Sequence, residues 1–130
     1  MSQALPKLEL MRSECFPFLE RYAVGVSALG SLAYFDTAQD AAGSAPTTAP
    51  PIVLLHALGT NFTQWEHVAP TLARHTRVVG MDMPGCGHSQ RPQREYRMAE
   101  LVDSVIALLD HLGIKRPIIV GHSFGGRIAM

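Results

Sequence analysis

This sequence has no excess of charge of either sign, only two cysteines and no long apolar run. Its Lys and Arg residues number 11 and its Asp and Glu residues 11, so no charge excess points to nucleic acid or to an anionic membrane surface. Two cysteines, Cys15 and Cys86, are too few for a disulfide scaffold, and reduced thiols are the default. No apolar run approaches the roughly 18 residues of a membrane span, and residues 1–10 lack a signal-peptide pattern. We therefore expect a cytoplasmic protein with no membrane span and no nucleic-acid partner.

Metal-binding patterns are scarce as well. The 6 histidines include no His-x-x-x-His or His-x-His pair, and the two cysteines do not have the spacing of a zinc site. Three histidines fall on or beside predicted helices and are expected at the surface: His67, His75 and His111. The sequence predicts no metal site and no cofactor.

The pattern of residues 1–51 predicts a hairpin between two irregular segments. Residues 1–18 show no period and are predicted to form an irregular leader, and 19–130 form the folded unit. Alternating apolar residues predict a half-buried strand over 21–28, and a second strand over 32–37 completes an antiparallel hairpin. The face predicted to be buried consists of Tyr22, Val24, Val26 and Ala28. Residues 38–51 are rich in Ala, Gly, Ser, Thr and Pro and are predicted to form a loop.

From Ile52 onward, predicted strands alternate with predicted helices. Short apolar runs predict strands at 52–55, 77–82 and 118–120, and the first is expected to be covered on both faces. Alternation with short loops is typical of a mostly parallel sheet that is flanked by helices and built from right-handed crossovers. The sequence thus predicts an α/β fold with the antiparallel hairpin at one edge of the sheet.

Two helices are predicted between these strands. Asn61 or Thr63 can cap the first helix, whose apolar side holds Trp65, Val68 and Leu72. The second has apolar residues every three or four positions over 98–112 and is expected to end at Gly113.

The last residues of the chain carry the clearest chemical pattern. Gly121-His122-Ser123-Phe124-Gly125 lies between an apolar strand and a helical start, and this Gly-x-Ser-x-Gly context is typical of a nucleophile elbow. The glycines are needed because the turn is strained and its backbone is crowded. We predict that Ser123 is a catalytic nucleophile; the alternative is a turn serine that bonds only its own backbone.

Two further loops follow strand ends, where open α/β sheets collect their reactive groups: 56–61 and 82–89. With the Gly-x-Ser-x-Gly turn, their order and spacing over residues 20–130 resemble the α/β-hydrolase family. That family has a His-Gly-x-Gly type loop after its third strand and an Asp-x-Pro-Gly-x-Gly-x-Ser loop after its fourth. The resemblance implies the N-terminal portion of an α/β-hydrolase fold. Ser123 favours the serine-nucleophile branch over haloalkane dehalogenases and epoxide hydrolases, which have an aspartate at this place.

The resemblance also implies an oxyanion hole made of two backbone N–H groups. One belongs to Phe124, which follows the nucleophile, and the other to Leu58 in the loop after the third strand. Ala57 occupies a place where the family commonly has glycine. The carboxyl ends of the strands at 52–55 and 118–120 are expected to be adjacent, so that the two N–H groups converge on one oxygen atom.

No histidine or aspartate of this chain is predicted to complete the catalytic triad. His122 neighbours the serine too closely to turn back onto its hydroxyl, His56 is expected to hold its loop by hydrogen bonds, and His88 is not favoured. The resemblance implies that the loop of Asp82 is structural. In this fold the triad acid and histidine follow the serine in chain order, so neither is expected on this chain.

The resemblance implies a sheet of eight strands, of which these residues supply five. The strand at 118–120 is therefore expected to have an unpaired edge that aggregates or pairs with a second chain, and the chain alone is expected to be inactive. The function implied is a serine hydrolase whose small-molecule substrate is an ester, a lactone or another activated carbonyl. The alternatives are an acyltransferase, a cofactor-free haloperoxidase-like enzyme, and a non-catalytic remnant or assembly partner. The stretch 58–60 is similar to enol-lactonases of the family.

Overall fold

The structure is a computed structural model that describes residues 16–40 and 48–130. Its strands are β1 (Arg21–Ser27), β2 (Gly30–Asp36), β3 (Ile52–Leu55), β4 (Val78–Met81) and β5 (Ile118–Gly121). Its helices are α1 (Thr37–Asp40), α2 (Ala69–Ala73), α3 (Met98–His111) and α4 (Phe124–Ala129), with a 3₁₀ turn at Phe62–Trp65. In the described residues, no helix has both the length and the apolar character to cross a membrane.

The five strands form one mixed sheet in the order β1-β2-β4-β3-β5. The hairpin of β1 and β2 is antiparallel, β2 runs antiparallel to β4, and β3 is parallel to both β4 and β5. The predicted fold class is confirmed. The chain crosses from β4 over β3 to reach β5, so the strand order reverses at β3, and ligands of open α/β sheets bind at such a reversal.

Strand β3 is covered on both faces, as its continuous apolar run predicts. Val53 and Leu55 belong to a core cluster that contains α3 residues and Ile128 of α4. Leu54, on the opposite face, packs in a second cluster with Phe62 and Trp65. Helical elements therefore pack on both faces of the sheet at β3.

The predicted buried face of β1 is wrong except at Val26, which packs on the core. Tyr22 and Val24 are 52% and 78% exposed, whereas Ala23 is 1% exposed. The pairing of β1 with β2 shifts register between Ala23 and Ser27, where Gly25 has a φ of 74°. This irregularity breaks the period of two, so the residues that pack on the core are Ala23 and Val26, three positions apart.

The predicted helix that carries Trp65, Val68 and Leu72 is divided in two. Asn61 caps the 3₁₀ turn, where its side chain accepts a hydrogen bond from the Thr63 N–H at 2.9 Å. Helix α2 begins only at residue 69, with Pro70 in its first turn. Proline lacks an N–H and clashes with the carbonyl four residues earlier, so one continuous helix cannot run through this point.

The predicted helix over 98–112 is confirmed as α3. Residues 1–15 of the predicted leader lie outside the described residues, as do 41–47 of the predicted loop. The end of the leader is irregular, but Phe16 and Phe18 pack on the second core cluster, with the ring of Phe16 4.9 Å from that of Phe35. The division of the chain at residue 18 stays a prediction.

Strand β5 pairs only with β3 among the described strands and forms an edge of the sheet. Its apolar residues are exposed: Ile118, Ile119 and Val120. An apolar edge strand pairs with further strands or aggregates. A second chain or oligomer as its cover stays a prediction.

Candidate active site

Ser123 lies on a strained corner between β5 and α4. Its φ of 55° and ψ of −111° make it the sole non-glycine residue with positive φ in the described part of the chain. The residue is exposed, and α4 begins directly after it. Strand, corner and helix are therefore arranged as the Gly-x-Ser-x-Gly pattern predicts.

Two glycines let the corner pack closely on β3. A Cβ atom on Gly125 would lie 2.2 Å from the carbonyl oxygen of Leu55, and one on Gly121 would lie 2.4 Å from the backbone of Gly125. The His122 N–H also donates to the Leu55 carbonyl at 3.0 Å. Because real side chains do not tolerate such distances, these positions require glycine, and the first turn of α4 rests on the end of β3.

The two predicted oxyanion donors lie at equivalent distances beyond the ends of two neighbouring strands. Leu55 of β3 is the register partner of Gly121 of β5, and Leu58 and Phe124 each lie three residues beyond that pair. In the ranges 16–40 and 48–130, neither the Leu58 N–H nor the Phe124 N–H has a hydrogen-bond acceptor. The predicted adjacency of the two strand ends is confirmed, and the convergence of the two N–H groups on one atom stays a prediction.

His56 is buried and holds two loops together. Its Nε2 accepts a hydrogen bond from the Met83 N–H at 2.9 Å, and its Nδ1 lies 2.7 Å from the Ala57 carbonyl oxygen. Because a backbone N–H can only donate, Nε2 carries no proton and Nδ1–H donates to the carbonyl. Both ring nitrogens are committed, so neither can accept the proton of Ser123.

Asp82 is buried and binds backbone groups of two different loops. Its carboxylate accepts hydrogen bonds from the Phe62 N–H at 2.7 Å and from the His88 N–H at 2.8 Å. In the same loop the Ser89 hydroxyl donates to the Asp82 carbonyl at 2.6 Å and accepts from the Ala33 N–H at 2.9 Å. These bonds join the Asp82 loop to the 3₁₀ turn and to β2. They agree with the structural role that the resemblance implies for this loop.

Cys86, in the loop after β4, carries a thiol that could act as a nucleophile. Burial raises the pKa of its thiol, the negative charge of Asp82 raises it further, and a backbone hydrogen bond with Gly59 lowers it in part. A thiol with a raised pKa is protonated near neutral pH and reacts slowly. Cys86 therefore does not compete with Ser123.

Sequence reasoning missed one polar residue at this edge of the sheet, Gln64. Its Oε1 accepts hydrogen bonds from the Ala57 N–H at 2.9 Å and from the Thr60 hydroxyl at 3.0 Å. Its Nε2 contacts Nδ1 of the exposed His122. These partners lie up to 58 residues away in sequence, and no local pattern identifies the residue. Among described residues, no three His, Cys, Asp or Glu side chains are grouped to hold a metal ion.

A family profile described as alpha/beta hydrolase fold matches residues 50–130. The acetyltransferase component of an acetoin cleaving system from Pseudomonas putida is 39% identical over 80 residues, which are 62% of this chain and 22% of that protein. A 2-hydroxymuconate semialdehyde hydrolase from a Pseudomonas species is 39% identical over 84 residues, or 62% of this chain and 30% of that protein. The matched region thus spans less than a third of the length of each of these relatives.

Among solved structures, the enol-lactonase from Burkholderia xenovorans LB400 is similar, with a TM-score of 0.71 and 33% identity. The match covers 83% of this chain and 39% of that one. The match therefore covers more of the chain than residues 50–130 alone.

Proposed function

Because the chain belongs to the alpha/beta hydrolase family, we propose that it supplies the nucleophile and the oxyanion donors of a serine hydrolase. The observation that carries this proposal is the strained corner at Ser123, which rests on the end of β3. The N–H groups of Leu58 and Phe124, which have no acceptor among the described residues, support it further. The proposed substrate is an ester, a lactone or another activated carbonyl.

The proposed reaction has two steps. The Ser123 Oγ attacks the carbonyl carbon and gives its proton to a histidine, and the carbonyl oxygen becomes an oxyanion that accepts hydrogen bonds from Leu58 and Phe124. The C–O bond to the leaving group breaks as that group takes the proton, and a water molecule then hydrolyses the acyl-serine. Each oxyanion donor is expected to lower the barrier by about 3 kcal/mol.

The base and the acid of this mechanism are proposed to lie in sequence beyond these 130 residues. The matched relatives are more than three times as long as the matched region, so they contain ample further chain. His56 and Asp82 are committed to backbone groups, and His122 contacts Gln64. Without a base, a serine hydroxyl is a weak nucleophile near neutral pH, so we expect the 130-residue chain alone to be inactive.

Enol lactones are the first substrates to test. The solved enol-lactonase aligns with most of this chain, and the stretch 58–60 is similar to that subgroup. Acyl transfer is the second candidate, since one relative is named as an acetyltransferase component. An acyl-serine that passes its acyl group to an alcohol or thiol uses the same nucleophile and donors.

A fluorophosphonate probe tests the nucleophile directly. In the full-length protein we expect one covalent adduct, on the peptide that contains Ser123, and little labelling of the 130-residue chain alone. Ser123→Ala is expected to remove the label and to lower ester or lactone turnover by about 10⁴-fold or more. Ser31→Ala, at a half-buried position in β2, is the matched control and should change neither. Labelling at another serine, or near-normal turnover of Ser123→Ala, would refute the proposal.

A further inference from the structure

The carboxamide of Gln64 bridges the two backbone segments that carry the proposed oxyanion donors. On one side its Oε1 binds Ala57, which immediately precedes Leu58. On the other side its Nε2 contacts His122, which immediately precedes Ser123. One side chain therefore contacts the residue before the proposed donor Leu58 and the residue before the proposed nucleophile Ser123.

The orientation of this carboxamide follows from its partners. The Ala57 N–H can only donate, so the atom that it contacts at 2.9 Å is the oxygen of the carboxamide. The single proton of the Thr60 hydroxyl is shared between the same oxygen at 3.0 Å and the Ala57 carbonyl at 3.1 Å. The nitrogen is then left facing His122, where it can only donate.

The imidazole of His122 must accept this hydrogen bond at Nδ1. A neutral ring with its proton on Nε2 satisfies the contact, and the exposed edge of the ring then carries the Nε2–H. Nδ1 of His122 is thus engaged by Gln64, which supports the expectation that the residue next to Ser123 is not its base.

We infer that Gln64 is a positioning residue that fixes the distance between the loop after β3 and the corner after β5. The inference rests on the proposed function and extends it to a residue that contacts neither substrate nor reacting atoms. The β-ladder aligns the two strands only as far as Leu55 and Gly121, and the donors lie three residues further on. Beyond the ladder, the carboxamide of Gln64 joins the loop to the corner through side chains.

Such a bond matters because oxyanion donors act only within hydrogen-bond distance of the developing charge. A displacement of about 1 Å at a reacting centre can lower a rate by about 10²-fold. Loss of the bridge is therefore expected to affect the transition state, where the oxyanion forms, more than the binding of the uncharged carbonyl. The expected signature is a lower kcat at nearly unchanged KM.

The test measures kcat and KM of the full-length protein on an aryl ester. Gln64→Leu keeps the approximate size and removes all three hydrogen bonds, and we expect its kcat to fall about 30- to 100-fold with KM within about threefold. Gln64→Glu keeps the acceptor for Ala57 and Thr60 and can accept from the other tautomer of His122. It is expected to recover most of the lost kcat. Gln93→Leu, at an exposed position before α3, is the matched control and should resemble wild type.

A second variant keeps the inference testable if Gln64→Leu does not fold. His122→Ala removes an exposed side chain and breaks only the elbow side of the bridge, so we expect a loss of about tenfold in kcat at unchanged urea unfolding. In the double variant the two losses should not multiply, because both changes break the same link. A kcat of His122→Ala or of a folded Gln64→Leu within twofold of wild type would overturn the inference. A failure of the proposed function would be distinguished from a failure of this inference, because the proposed function is tested by the labelling and turnover of Ser123→Ala.

Discussion

The loop after β3, residues 56–61, and the loop after β4, residues 82–89, leave neighbouring strands at the same edge of the sheet but use their polar groups in opposite ways. In the loop after β4, the Asp82 carboxylate is buried and bound to two backbone N–H groups. In the loop after β3, Leu58 is 70% exposed and its N–H has no acceptor among the described residues. One loop is occupied with holding the fold, and the other presents a donor to solvent.

This difference distinguishes a structural carboxylate from a proposed oxyanion donor. An aspartate at the carboxyl end of a parallel strand is a natural candidate for a catalytic acid, since reactive groups collect there. Backbone N–H groups already occupy the Asp82 carboxylate, so it is poorly placed to orient a histidine. A backbone N–H without an acceptor among the described residues, in a loop next to the strained Ser123 corner, indicates a catalytic site better than the buried carboxylate does.

The largest effect is expected where the loop after β3 meets the corner. Gly125→Ala places a methyl group 2.2 Å from the Leu55 carbonyl, so α4 must move and unfolding should become easier by about 4 kcal/mol or more. Gly126→Ala is the matched control, because its Cβ would lie 3.4 Å from the Gly121 carbonyl, and it should stay within about 1 kcal/mol of wild type. Urea unfolding of both variants in the full-length protein measures the contrast. Equal stability of the two would contradict the close packing of the corner.

A smaller effect is expected at Asp82. Asp82→Asn keeps the shape but turns an NH₂ group toward one of the two backbone N–H donors, so we expect a loss of about 3 kcal/mol in the free energy of unfolding. The kcat of the folded protein should stay within about threefold of wild type. Asp103→Asn, on the exposed side of α3, serves as the control for the loss of a charge. A large drop in kcat at wild-type stability would instead make Asp82 a catalytic residue.

The smallest effect is expected at Glu100, which lies outside both loops. Its carboxylate accepts hydrogen bonds from the Arg94 side chain and, less strongly, from the Arg97 N–H, and these lower its pKa. A lowered pKa in the folded state stabilises the protein above the unfolded pKa, and this stabilisation is lost as the pH falls through the folded pKa. Glu100→Gln should therefore unfold at slightly lower urea than wild type at pH 7. The difference should shrink below about pH 4, and a constant or growing difference there would show that the carboxylate charge is not involved.

Local patterns predicted the fold and the corner well. The spacing of apolar residues identified α3, and Gly-x-Ser-x-Gly identified the corner, because in both cases the deciding contacts lie within a few residues. The face of β1 could not be predicted in the same way, since the register shift near Gly25 changes which residues point inward. Pro70 is a local signal for the division of the helix, because a proline cannot occupy the interior of a continuous helix.

The candidate site was predicted only as far as its motifs extend. Ser123, Leu58 and Phe124 follow from patterns of fewer than ten residues, whereas the bonds of Gln64 to Ala57 and His122 span 7 and 58 residues. A glutamine between a threonine and a tryptophan has no distinguishing context in sequence. Only the pairing of β3 with β5 brings its partners together.

The backbone conformation of Ser123 also restricts which reactive group position 123 can carry. At a φ of 55°, a β-branched residue is a steric outlier, whereas the unbranched Cβ of serine is accommodated. Threonine is therefore excluded from this corner by its shape, although its hydroxyl is chemically equivalent to that of serine. Cysteine and aspartate, which are unbranched at Cβ, can replace serine without a change in the turn. In the proposed mechanism, a single substitution at this corner would therefore exchange a hydroxyl nucleophile for a thiolate or a carboxylate, while the architecture around it stays the same.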